Sequence, residues 1–180
     1  AAGQSAGAKE RKNTEAQLAN LEIGIETFRT TFGSLPMTDN TNQSILNPLF
    51  YELTGTTFTP DAGNTMGGSF YTSTLNPAHR VSARQVTNAF GSKIPGFINH
   101  QGKTFLNLKS AQYQALGAND VILLRVPAAP INISGTNKFN FWHYQARNQH
   151  GRNPTGYDLW AEIRGKKTGE TNIIGNWIKK

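Results

Sequence analysis

The sequence predicts an α+β fold in which a long N-terminal helix packs on a C-terminal antiparallel sheet of about three strands, with a large irregular insertion between them. Three observations predict it. Leu18, Leu21, Ile25, Phe28 and Phe32 recur at steps of three and four, the spacing that places side chains on one helical stripe. Phe139, Phe141 and His143 alternate with Asn140, Trp142 and Tyr144, which is the period of a strand, and two further β-prone segments follow at 157–163 and 171–177. Residues 56–137 sustain neither period over any length.

Taken in order, residues 1–8 read as a tether or an artificial remnant, and the helix as running over 9–32. Glu15, Glu22, Glu26 and Arg29 lie mostly off its apolar stripe. Gly33 is the expected stop just past the last apolar position, and Pro36 prevents continuation. A second, shorter helix is predicted over 43–53 from Ile45, Leu46, Leu49, Phe50 and Leu53, with Pro48 tolerable only near its first turn and Gly55 ending it. Residues 54–68, rich in Thr, Gly and Asn, read as a loop.

In the middle, 81–90 and 109–116 read as short helices, the latter closed by Gly117, and 93–99 and 104–108 as strand pieces. The apolar run 121–126, stopped by Pro127 and Pro130, is the clearest strand there. A turn region with Gly151, Pro154 and Gly156 separates the strand around Phe141 from the last two, so the end of the chain reads as a meander. The whole is a single domain: 1–8 tether, 9–55 helical part, 56–137 insertion, 138–180 C-terminal sheet.

Composition narrows the function. A chain of 180 residues suits one domain, and a compact chain of that size buries roughly 70% of its unfolded surface. It has no cysteine, hence no disulfide, and no stretch of the roughly 20 apolar residues that cross a bilayer. The net charge of +7 is uneven: 1–37 is neutral, 38–79 carries −3, and 80–137 and 138–180 carry +5 each. A basic half attracts polyanions, but a solvated face or an electrostatic match to a neighbouring subunit is the preferred reading.

Catalytic patterns are missing. His79, His100, His143 and His150 show no His-x-x-x-His pair, and Gly67-Gly68-Ser69-Phe70 is neither a nucleophile elbow nor a phosphate loop. The eleven acids supply a carboxylate pair only by assumption. Asp158, between Tyr157 and Leu159, is expected on the opposite strand face in a structural role. Trp142, Trp160 and Trp177 all fall in the C-terminal strands and are expected in the core, a sugar platform needing exposed, coplanar rings instead. No enzyme activity, catalytic residue, bound cofactor or metal is expected.

Several of these segments, in this order, resemble the soluble domain of type II secretion pseudopilins, in the type IV pilin superfamily. The stretch from Lys9 to Glu22 resembles the amphipathic second half of the family's long helix, and Phe28-Arg29-Thr30-Thr31-Phe32-Gly33-Ser34-Leu35-Pro36 its exit. Residues 45–55 resemble its short second helix, and Gly156-Tyr157-Asp158-Leu159-Trp160 and Ile174-Gly175-Asn176-Trp177 its closing strands. The likeness covers roughly 9–55 and 138–178.

The resemblance implies a structural subunit of a periplasmic pseudopilus in a Gram-negative bacterium, anchored in the inner membrane by an apolar helix expected immediately before Ala1. Its partners would be copies of itself, other pseudopilins and the inner-membrane secretion platform, with a processed, methylated N-terminus. Leu18, Leu21, Ile25, Phe28 and Phe32 would hold helix to sheet. Major pseudopilins bind calcium between the last two strands, but here Arg164-Gly165-Lys166-Lys167-Thr168-Gly169-Glu170-Thr171 offers one carboxylate against three cations, so the calcium ligands are not carried over. Two other functions compete: a type IV pilin-like subunit that binds DNA for uptake, suggested by the basic half, and a secreted carbohydrate-binding module, suggested by the three Trp.

Overall fold

The computed structural model of the chain describes residues 2–39, 43–117, 120–131, 138–146 and 156–178. Its elements are α1 (Ala2–Phe32), α2 (Leu49–Thr54), β1 (Thr56–Asp61), β2 (Asn64–Thr72), β3 (Arg80–Ser82), α3 (Ala83–Phe90), a 3-10 turn (Ser110–Gln112), β4 (Tyr113–Ala115), β5 (Ile122–Leu124), β6 (His143–Ala146), β7 (Tyr157–Arg164) and β8 (Thr171–Gly175). The strands form three small antiparallel sheets, β1-β2-β3, β4-β5 and β6-β7-β8. A long helix with segregated antiparallel sheets is an α+β fold.

α1 has 31 residues, about 46 Å at the α-helical rise. It starts at Ala2, so residues 2–8 are helix and not a tether. Alanine is the strongest helix former, and once a helix is nucleated each further residue adds a hydrogen bond, which offsets the roughly 1 kcal/mol that Gly3 and Gly7 each cost. The helix ends where Gly33, at φ 72, donates its N–H to the Arg29 carbonyl at 2.8 Å.

The C-terminal meander is in register from His143↔Trp160 through Trp160↔Gly175. Tyr157, Leu159, Ala161 and Ile163 of β7 are buried with Ile174 of β8, in the same core as Leu21, Ile25 and Phe28 of α1. The exit of α1 then covers the outer edge of the sheet. Tyr144 donates its N–H to the Ser44 carbonyl at 3.0 Å and its hydroxyl to the Pro36 carbonyl at 2.9 Å. Asn47 Nδ2 donates to the Trp142 carbonyl at 3.0 Å, and the Ala146 N–H donates to Thr38 Oγ1 at 3.1 Å.

The middle departs from the sequence prediction in four places. The second helix covers only Leu49–Thr54, because Pro48 holds its N-cap and a residue before proline avoids the α conformation. Residues 54–68 are not a loop: β1 and β2 form a hairpin across Ala62-Gly63, with Gly63 at φ 80 and Phe58 opposite Phe70. Residues 109–116 make one 3-10 turn and then β4, because pairing of Tyr113 and Ala115 with Leu124 and Ile122 prevails over local helix tendency. Residues 93–99 and 104–108 contain no strand.

The described residues within 56–131 thus hold strands, a helix and connecting segments, so that part is not an irregular insertion. The helix expected over 81–90 is α3, whose capping box joins Ser82 and Gln85, preceded by the short β3. β5 lies within the expected strand 121–126. Much of the turn region 148–156 falls outside the described residues.

Candidate assembly surface

The stripe on α1 divides the helix into a buried and a free face. Leu18, Leu21, Ile25 and Phe28 sit in the core. Phe32 sits at its edge, its ring centroid 4.7 Å from Phe28 and 5.7 Å from Phe105, with the Lys103 ammonium 5.4 Å above the ring. Thr14 and Gln17 extend the seam with polar groups, Gln17 Nε2 donating to the Arg125 carbonyl at 3.1 Å. Turned the other way, Ala16, Ala19, Asn20, Ile23 and Thr27 are exposed, and Ile23 is 65% accessible.

Beside this free face runs a groove of about 320 Å³ between α1 and the end of β8. Leu18, Ala19, Ile174 and Ile178 form its apolar walls, and Arg11, Glu15, Glu22 and Asn176 line it with polar groups. Glu15 pairs with Arg11 at 3.3 Å. Partial burial, with the Glu26 charge one turn on, raises the pKa of the Glu22 carboxyl, and among the described residues Glu22 has no ion pair.

At the other end of β8 the basic loop is a pinned turn. Gly165 donates its N–H to the Glu170 carbonyl at 2.8 Å, and the Lys167 N–H donates to Glu170 Oε2 at 3.0 Å. The single acid of the loop is turned onto its backbone, while Arg164, Lys166 and Lys167 stay exposed beside a cleft of about 400 Å³.

The remaining candidates from the sequence do not gather into one site. Among the described residues no group of three His, Cys, Asp or Glu is placed to hold a metal. His143 bonds Ser44 Oγ at 2.7 Å and stacks on Trp160 at 4.8 Å, and burial lowers its pKa to about 4. His100 Nδ1 bonds the Phe97 carbonyl at 3.1 Å, His79 lies against Tyr51, and His150 lies outside the described residues. Asp158 is buried in β7 with Tyr157 and Leu159. Trp142 is buried, while Trp160 and Trp177 are half-buried and meet at 63°, so the three offer no common flat platform.

Sequence reasoning missed Glu52. Its carboxyl group is buried, has no ion pair among the described residues, and accepts the N–H groups of Ile98 and Asn99, both at 2.8 Å. Asn99 Nδ2 donates in return to the Glu52 carbonyl at 2.8 Å and to the Lys103 carbonyl at 2.6 Å. Burial pushes the Glu52 pKa up to about 7, against the two backbone donors that favour its charge. The available signal was one acid inside the apolar run Leu49-Phe50-Tyr51-Glu52-Leu53.

Among the described residues no helix is long and apolar enough to cross a membrane. Compared with models of protein families, with curated proteins and with solved structures, the chain matches none.

Proposed function

We propose that the chain is the soluble domain of a pseudopilin-like subunit, a non-catalytic building block of a filament that assembles from the inner membrane and helps push exported proteins through a type II secretion apparatus. The observation that carries this reading is the pairing of α1 with the C-terminal meander. The second half of a 31-residue helix is buried against β7 and β8 of the meander and against α2, while most side chains of residues 6–13 are exposed. A helix built this way is half fastened to its own sheet and half available to neighbours. The motifs of its exit and of the closing strands add to the reading.

On this reading, force passes from subunit to subunit, and Leu18, Leu21, Ile25, Phe28 and Phe32 keep each helix fixed to its domain. The deciding experiment reads the gene upstream of the codon for Ala1 and expresses the whole product. A cleavable leader followed by about 20 apolar residues, with filaments visible by electron microscopy, is the expected result. An upstream sequence lacking any such apolar segment would overturn it.

The exposed Arg164, Lys166 and Lys167 favour a second reading, a pilin-like subunit that binds DNA. It requires affinity for duplex DNA that falls linearly on a log–log plot against salt. Absence of binding at low salt removes it.

A further inference from the structure

We propose that the groove between α1 and β8 receives the basic β7–β8 loop of a second copy of this chain, with Lys166 or Lys167 of one copy paired to Glu22 of the next. The inference rests on the filament reading and deepens it by naming the two surfaces that meet. Three observations carry it. Glu22 is an acid drawn partly out of water beside another acid, Glu26, and among the described residues no cation answers it. The groove is walled by Leu18, Ala19, Ile174 and Ile178, and Ile178 is 48% accessible. The loop presents two lysines from a turn whose own carboxylate is already engaged by the Lys167 N–H. Arg11 in the groove is matched by Glu15, which leaves Glu22 as the acid with no ion pair among the described residues. Lys166 and Lys167 on the fixed turn likewise have none there, so the two surfaces are complementary in charge, and a fixed turn loses little freedom on docking.

The placement of the two surfaces decides the kind of contact. The loop leads into β8 at Thr171 and the groove lies at its far end, around Gly175. Along the five residues of the strand, four rises, that is a separation of about 13 Å. One copy therefore cannot satisfy its own groove with its own loop. A two-fold pair could make the contact twice, each loop entering the other copy's groove. A heterologous arrangement makes it once and leaves a free loop at one end and a free groove at the other; the filament reading requires the second.

The chain contains no cysteine, so introduced ones report contact cleanly. Single variants Ala19→Cys in the groove and Thr168→Cys in the loop of the whole chain, which leave Glu22 and both lysines in place, are mixed at high concentration, oxidised and resolved by mass. The expected product is the mixed disulfide, exceeding either homodimer by roughly tenfold and falling severalfold in about 1 M salt, as a contact steered by charge must. A statistical mixture of the three dimers overturns the proposal. So does a statistical mixture in which Lys167→Glu weakens duplex DNA binding, which assigns the loop to a polyanion. Lys179 and Lys180 follow Ile178 in the sequence; a double variant Glu22→Cys, Lys180→Cys that closes within one chain in preference to the mixed dimer also overturns it. A full-length product that forms no filaments while the mixed disulfide still dominates removes the filament reading and leaves the loop-in-groove contact standing.

Discussion

Around α1 and β6–β8 the buried residues are almost all apolar and recur at regular spacing, whereas around α2 the same depth is reached with polar groups. All six residues of α2 are buried, Glu52 and Thr54 among them. Thr54 Oγ1 donates to the Phe50 carbonyl at 2.6 Å, and Glu52 reaches across 47 positions to Asn99. Gly55, at φ 88, brings its backbone so near the Lys103 carbonyl that a Cβ would lie 2.7 Å from that oxygen. The first region is held by surface removed from water, which tolerates small adjustments. The second is held by directed hydrogen bonds, and an orphaned buried donor is costly.

The sharpest way to break the first region is Phe28→Ala. A fully buried aromatic cut to Ala is expected to cost about 3–5 kcal/mol, measured by urea unfolding, with α1 released from the sheet. A loss below about 1 kcal/mol would mean that the seam is not the main support of this half.

The two regions also respond oppositely to acid. In the fold the Glu52 carboxyl holds its proton up to about pH 7 against an ordinary 4.5, so the folded state binds more protons than the unfolded chain in that window. Its contribution to stability is complete below pH 4.5 and is lost as pH rises through about 7. His143 resists protonation down to about pH 4 against an ordinary 6.5; its contribution is complete above 6.5 and is lost as pH falls through about 4. Shifts of this size correspond to roughly 3 kcal/mol each, and between pH 4.5 and 6.5 they oppose one another. Relative to wild type, Glu52→Gln should show stability climbing across that window, and His143→Asn should show it falling. Variant and wild-type curves that run parallel would refute the pairing.

Glu52→Gln tests the clamp itself. At pH 5, where the Glu52 carboxyl is protonated, its carbonyl and hydroxyl oxygens face the two N–H groups, whereas a Gln side chain sets its own NH2 against one of them, for a loss of about 1–3 kcal/mol. Amide exchange should quicken at Ile98 and Asn99 before it does in β7. The smallest effect belongs to the free face of α1: Ile23→Ala should change unfolding by less than about 0.5 kcal/mol, and a larger loss would show that Ile23 packs against its own domain.

The same contrast explains what was legible in the sequence. α1 and the meander carry their partners in their own periodicity, since each apolar position repeats a local geometry. The β1–β2 hairpin was hidden because its strands use Thr56, Thr57 and Thr59 where an alternation of strongly apolar residues was sought, although β-branched residues suit strands equally. The clamp was hidden because Glu52 and Asn99 mean nothing separately. In the candidate site the stripe could be read from α1 alone, and the basic loop from its composition. The groove could not, because it exists only once β8 brings Ile174 and Ile178 beside Leu18 and Glu22.

The segment that follows α1 has a consequence for how copies of this chain can join. Ser44, Asn47 and Thr38 occupy hydrogen-bonding groups along Trp142, Tyr144 and Ala146. A ribbon grown by strand addition needs two open borders on every member, one to give and one to receive. Here one border is already stoppered by the molecule's own chain. Backbone zippering through this sheet therefore ends at a pair, and longer order built on it has to come from side-chain contacts, which separate again without any member having to unfold.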